Sequence, residues 1–142
     1  MKKLLFATVV LAILLATVAC GAQSSATSIV GPTWQLQQMK TPDGTTTIQT
    51  PSSYTLYLGP SSGTNGKFNF KADCNSGNGA YVLNGKSLTL NVQTTTMAMC
   101  GAGSQGNQYI ANLGKVQSYD LKGNNLTLNL AANGGTMLYN VP

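Results

Sequence analysis

Histidine, arginine and glutamate are all missing from the 142 residues, so eight lysines and three aspartates carry all the side-chain charge. Each absence removes a class of chemistry. Without His, no Ser-His-Asp or Cys-His arrangement can be built. Without Glu, a carboxylate pair for glycoside hydrolysis requires two of the three Asp to converge. Asp43 sits in a Pro-Asp-Gly turn where its role is local, which leaves Asp73, beside a Cys, and Asp120, near a hairpin end. A Ser-Lys dyad is conceivable among many Ser, but no spacing singles one out. Lys40, Lys67, Lys71, Lys86, Lys115 and Lys122 are spread singly, so the grouped basic footprint of a nucleic-acid partner is absent. They read as solvated surface, or alternatively as a basic face toward anionic lipid headgroups.

What is present begins with the N-terminus. Met1-Lys2-Lys3 is followed by an almost unbroken apolar run from Leu4 to Ala16, then Thr17-Val18-Ala19-Cys20. A short positive start, an apolar stretch and a small-residue close make a secretory signal peptide, too short for a comfortable transmembrane helix. Cys20 at the close makes it resemble a bacterial lipoprotein signal. That resemblance implies cleavage before Cys20, a diacylglyceryl thioether on its sulfur and a further acyl chain on its amine. Two or more chains anchor stably where one does not. Residues 1–19 are then the signal, 20–30 a tether of small polar residues and 31–142 one domain.

With Cys20 acylated in an exported protein, Cys74 and Cys100 remain as a pair, and a disulfide is the default. Closing a loop of about 26 residues gives roughly 3 to 4 kcal/mol on the chain-entropy estimate. A metal or redox pair is the competing reading, without C-x-x-C spacing, His or a third soft ligand to support it. The stretch from Asp73 to Gly79 has the composition of a calcium loop, but Gly77 stands at the third ligand position and Asn84 where a bidentate Glu is needed.

Past Gly31 the chain reads as short strands of alternating polarity separated by Gly, Asn, Asp and Pro clusters. Thr33 to Met39, Ser53 to Leu58 and Lys67 to Ala72 are strands, with Lys40 to Ser53 and Gly59 to Gly66 as connections. A turn at Asn84-Gly85 puts Tyr81 opposite Leu88. Leu121 and Leu126 bracket a second turn and pair Tyr119 with Leu128. A turn at Asn133-Gly134 puts Leu130 opposite Met137 and Leu128 opposite Tyr139. The three hairpins give one apolar face: Tyr81, Leu83, Leu88, Leu90, Tyr119, Leu121, Leu126, Leu128, Leu130, Met137 and Tyr139, beside Trp34, Phe68 and Phe70. Between Ser104 and Lys115, Tyr109, Ile110 and Leu113 mark a short helix that Gly114 can end. The expected fold is mainly β, a small antiparallel sheet of about seven or eight strands curled like a barrel, with one short helix.

Three stretches carry a family likeness. They are Gly31-Pro32-Thr33-Trp34-Gln35-Leu36, then Cys74-Asn75-Ser76-Gly77-Asn78-Gly79-Ala80-Tyr81, then Thr95-Thr96-Met97-Ala98-Met99-Cys100. In this order they resemble the META domain family, the HslJ-like group of bacterial envelope proteins. The likeness spans about Gly31 to Val141 and rests on Trp34, Leu36, Asn75, Gly79, Tyr81, Thr95 and Thr96 with the two Cys. Family members usually carry Met two before the second Cys with Arg or Lys ahead of it; here Ala98 and Met97 stand there. They tend to have Pro after that Cys and an acid in the helix; here Gly101 follows, and Gln105, Asn107 and Gln108 are neutral. The resemblance implies a compact β fold with a helix packed on it, and stress-related or envelope phenotypes without an established activity.

The resulting expectation is a non-enzymatic, lipid-anchored envelope domain with a binding or stress-support role, no cofactor and no metal. Its partners would be membrane lipid through Cys20 and an envelope protein, a glycan or a small apolar ligand. It would sit on the outer membrane if there are two membranes, otherwise on the outer face of the plasma membrane. The alternatives are a small-molecule or peptide-binding inhibitor module, or a hydrolase using Asp73 or Asp120. Tyr57, Leu138, Met97 and Met99 are candidates for exposed apolar contact, unless they lie under the helix or a loop.

Overall fold

The computed structural model describes residues 28–142. Cys20, the expected signal peptide and most of the expected tether therefore lie outside the described residues. In chain order the elements are β1 (Thr33–Thr41), β2 (Gly44–Thr47), β3 (Tyr54–Ser62), β4 (Asn65–Ala72), β5 (Asn75–Asn84), β6 (Ser87–Thr95), α1 (Gly106–Leu113), β7 (Val116–Lys122), β8 (Asn125–Leu130) and β9 (Thr136–Asn140), with a 3₁₀ turn at Pro51–Ser53. Every pairing is antiparallel, and β1 pairs with β9 as well as with β3. Eight strands thus close into a barrel, and β2 is a ninth strand paired to β1 alone.

Alternation builds this barrel. In β8, Leu126, Leu128 and Leu130 point inward between half-buried or exposed polar neighbours. In β4, Phe68, Phe70 and Ala72 do the same. An eight-stranded barrel is just wide enough for its own side chains, and this one is filled by Trp34, Leu36, Leu56, Phe68, Tyr81, Leu90, Leu128, Met137 and Tyr139, all buried. Among the described residues no buried side-chain nitrogen or oxygen lacks a hydrogen-bond partner. The core also takes in Ile29, 2% exposed, two residues before Gly31.

The structure corrects several local readings. Lys40 to Ser53 is not only a connection: Thr45 to Thr47 pair with Gln38 to Lys40 across the Pro42-Asp43 turn. β-Branched threonines favour a pleated strand, and the run was long enough to form one. Gly59 to Gly66 is mostly strand too, with a bulge between Leu58 and Ser61 and a two-residue turn at Gly63-Thr64. The Asn84-Gly85 turn moves one residue on, to Gly85-Lys86, so Tyr81 faces Leu90 instead of Leu88. Positive φ is confined to Gly85 in that turn, the pattern of a type II′ turn, where I′ would need it at both central residues. Around Asn133-Gly134 the loop is longer than two residues, and Met137 faces Leu128 while Tyr139 faces Leu126. Both slips are by two, and a side-chain period of two leaves the buried face unchanged. Tyr119 opposite Leu128 is as expected. Leu83, Tyr119 and Leu121 are only half-buried, packed at the margin of the core, and Lys86 covers the Tyr119 ring at 5.0 Å.

The barrel has two unlike ends. At one, which we call the turn end, three two-residue turns close the hairpins: Gly63-Thr64, Gly85-Lys86 and Gly123-Asn124. The chain enters from this end, where Gly31 donates its N–H to the Leu58 carbonyl at 2.9 Å. At the other, the helix end, α1 connects β6 to β7. These two strands share a single bridged pair, Ser87 with Ser118, making the thinnest seam of the barrel.

Candidate functional site

The helix end gathers most of the family-like residues. α1 turns Tyr109 and Leu113 inward as a stopper, and the Tyr109 ring meets Tyr54, Phe70 and Tyr139 at centroid distances of 5.8, 6.5 and 6.4 Å. The Tyr109 hydroxyl donates to the Thr55 carbonyl at 3.1 Å. Burial pushes the Tyr109 phenol well above its ordinary value of 10.0, and burial first, then the neighbouring Tyr109, does the same to Tyr139. The helix start is tied to the barrel by the Gln105 N–H donating to the Tyr54 hydroxyl at 2.9 Å.

Cys74 and Cys100 are joined, with Cα atoms 5.5 Å apart, inside the range of roughly 4.4 to 6.8 Å that a disulfide needs. Asn75 sits beneath the bridge, 5% exposed. Its Oδ1 accepts from the Ala98 N–H at 2.7 Å and from the Thr96 hydroxyl at 2.9 Å, while its Nδ2 donates to the Ala98 carbonyl at 3.0 Å. Thr96 in turn accepts from the Ser76 N–H at 3.0 Å. An amide side chain thus does the pairing that a backbone strand would do, and pins the segment leaving β6. Gly79 and Tyr81 have packing reasons: a side chain at Gly79 would strike the Phe68 ring, and Tyr81 lies across Gly66 to donate to the Gly59 carbonyl at 2.6 Å. Trp34 and Leu36 are core residues of β1, and the Trp34 indole donates to the Ile29 carbonyl at 2.9 Å. Thr95 ends β6 opposite Gly77. The family-like residues are accordingly framework.

A cleft of about 390 Å³ opens beside this framework, between β2 with its following segment and the Ala102–Gln105 stretch before α1. Its lining includes the hydroxyl-bearing Thr46, Thr47, Thr50, Ser53 and Ser104, the amide-bearing Gln49 and Gln105, the apolar Ile48, the aromatic Tyr54, and Asp73 as its one charged residue. The Asp73 N–H donates to the Ser53 carbonyl at 2.7 Å, which fixes the backbone of this lining residue against the start of β3. Sequence reading missed β2 and this cleft, although Pro42-Asp43-Gly44 ahead of Thr-Thr-Thr-Ile carries a turn-then-strand signal.

The two candidate carboxylates do not converge. Asp73 stands at the helix end, whereas Asp120 is exposed on β7 and accepts from Asn129 at 3.2 Å. The stretch with calcium-loop composition runs into β5, a ten-residue strand paired on both sides. Met97 and Met99 are 88% and 100% exposed, neither under the helix nor under a loop; Tyr57 and Leu138 are half-buried on the barrel wall.

The META domain family model matches residues 27–140, nearly all of the described structure. The chain belongs to the META domain family. Its fold is similar to that of a protein from Burkholderia xenovorans solved by NMR, with a TM-score of 0.61 and 22% identity over 80% of this chain and 83% of that one. It is also similar to a crystal structure of a DUF4847-family protein from Bacteroides vulgatus, with a TM-score of 0.56 and 11% identity over 79% of this chain and 93% of that one. At such identities the likeness of this META domain to either is one of fold. Among curated proteins nothing matches.

Proposed function

We propose that this META domain is an exported binding domain, anchored to the bacterial envelope by acyl chains on Cys20 and working without catalysis. The observation that supports it is the unlikeness of the barrel's ends. The chain enters at the turn end, so an anchor at Cys20 would leave the helix end, with its rigid disulfide framework and its polar cleft, facing away from the lipid. A tether from Cys20 to Ser28 reaches about 30 Å at full stretch, enough to hold the barrel at the surface without burying the cleft. The filled interior and the α1 stopper favour that surface cleft over a small apolar ligand inside the barrel.

Detergent-phase partition and mass spectrometry of the processed protein test the anchor. The wild-type protein is expected in the detergent phase with acyl mass on Cys20, and Cys20→Ser in the aqueous phase or as uncleaved precursor. Unmodified Cys20 in the mature protein would overturn the reading.

A further inference from the structure

β2 prolongs the line of β3 along β1: Thr33 to Gln35 pair with β3, and Gln38 to Thr41 pair with β2. β4 flanks β3 only as far as Ala72, opposite Tyr54, and then turns at Asp73. The lane beside β2 that a longer β4 would take is the cleft, with Asp73 at its head. In an antiparallel pair, alternate residues turn both backbone groups toward the partner strand. Ile48 donates its N–H to the Gln37 carbonyl at 2.9 Å. That phase directs Thr46 toward β1 and turns the backbone groups of Thr45 and Thr47 outward, where no strand among the described residues pairs with them.

Asp73 is unusual among its counterparts. Four hairpins have two-residue turns whose first residue sits in the left-handed region, at φ of 60° in Gly63, 61° in Asp73, 57° in Gly85 and 56° in Gly123. Glycine adopts that backbone at no steric cost, and three of these four positions use it. The fourth holds a carboxylate instead, and its side chain accepts no hydrogen bond from a described residue.

From the free edge, the cleft and this carboxylate, we propose that the META domain takes an extended peptide of another protein, added as a strand to β2, with a lysine or arginine side chain on Asp73. The proposal names the ligand class of the binding role above and rests on it. Outward N–H and C=O groups at every second residue fit a peptide ladder, which a glycan could not complete. Asp73 is the one charged residue in the lining of the cleft, and its charge sets the sign of the side chain that would meet it.

The test is an NMR titration of the processed, acylated protein in detergent micelles. The probe is the capped hexapeptide Lys-Val-Thr-Val-Lys-Val, run against the same peptide with glutamates for the lysines, against free lysine and against chitotriose. Expected are amide shifts at Thr45, Thr47 and Asp73 at millimolar peptide, weaker by about tenfold or more with the glutamate peptide. Asp73→Gly keeps the turn and should lose the lysine preference; Thr47→Pro removes an outward N–H without touching the β1 ladder and should lose the response. No response at millimolar peptide, equal response to the acidic peptide, an unchanged preference in Asp73→Gly, or the same shifts from free lysine would each overturn it. Shifts at the cleft from chitotriose alone would overturn the peptide while leaving the binding role, and neither result bears on detergent partition through Cys20.

Discussion

The turn end and the helix end of the barrel solve the same problem, how to close a cylinder of strands, in opposite ways. At the turn end, three glycine-led two-residue turns return each strand with almost no chain to spare. The helix end uses a disulfide, a buried Asn75 network, an eight-residue helix and a side strand. Closure accounts for only part of that outlay: β4 and β5 are joined there by a turn as short as those at the other end, whereas α1 carries the chain from β6 to β7. The disulfide and the Asn75 network hold the irregular backbone that leaves β6 in a fixed position. The lesson is that motif residues and cleft-lining residues can separate. Asn75, Thr96 and the cysteines make the frame, and the cleft they border is lined by other side chains.

The largest expected effect should be shared by both ends. Leu128→Ala opens a cavity in the mid-barrel core and should cost about 2 to 5 kcal/mol in denaturant unfolding, with amide exchange rising at both ends; a rise at one end only would show that the core is not common to them. Removing the disulfide with Cys74→Ser and Cys100→Ser should cost roughly 3 to 4 kcal/mol and speed exchange in the 96–105 segment while the three glycine turns stay as they were. Alkali should act through the helix end as well. Tyr109 and Tyr139 hold their protons in the folded state more tightly than in the unfolded chain, so their contribution is complete below the ordinary phenol value of 10.0 and is lost as the pH climbs above it. Stability measured against pH should therefore fall from about pH 10 upward, and Tyr109→Phe should flatten that fall. The smallest effects should have opposite signs at the two ends: Gly85→Ala should destabilise by about 1 kcal/mol, and Asp73→Gly should stabilise by about as much, because left-handed backbone disfavours any side chain. If Asp73→Gly destabilised the domain, its carboxylate would be a structural part of the helix end.

Much of the barrel could be read from the chain because period-two alternation survives small errors. Leu126, Leu128 and Leu130 face inward whether their partner strand is displaced by two residues or not, so the buried set was legible while two of three hairpin registers were not. Turn type decided those registers, and turn type depends on backbone angles at Gly85, and at Ala132 and Asn133, that residue identity alone leaves open. The Cys74–Cys100 pair was legible from the cysteine count and spacing, with Cys20 set aside as the expected acylation site. The cleft was not, because it forms where a Thr-rich strand, a turn at Asp73 and the approach to α1 meet, three segments distant in the chain with no motif among them.

The seam between β6 and β7 gives the cylinder a preferred line of opening. With one bridged pair and the Tyr119 N–H bonded to the Lys86 carbonyl at 3.1 Å, these strands are neighbours more by containment than by a ladder. Unrolled along that line, the molecule is a single curved ribbon running β7-β8-β9-β1-β3-β4-β5-β6, each step a longer pairing than the seam. α1 is the one segment joining the ribbon's two margins, so the short helix acts as the clasp of the closed form. Partial unfolding should begin there, with β6 and β7 parting while the β3-β4-β5 meander stays intact.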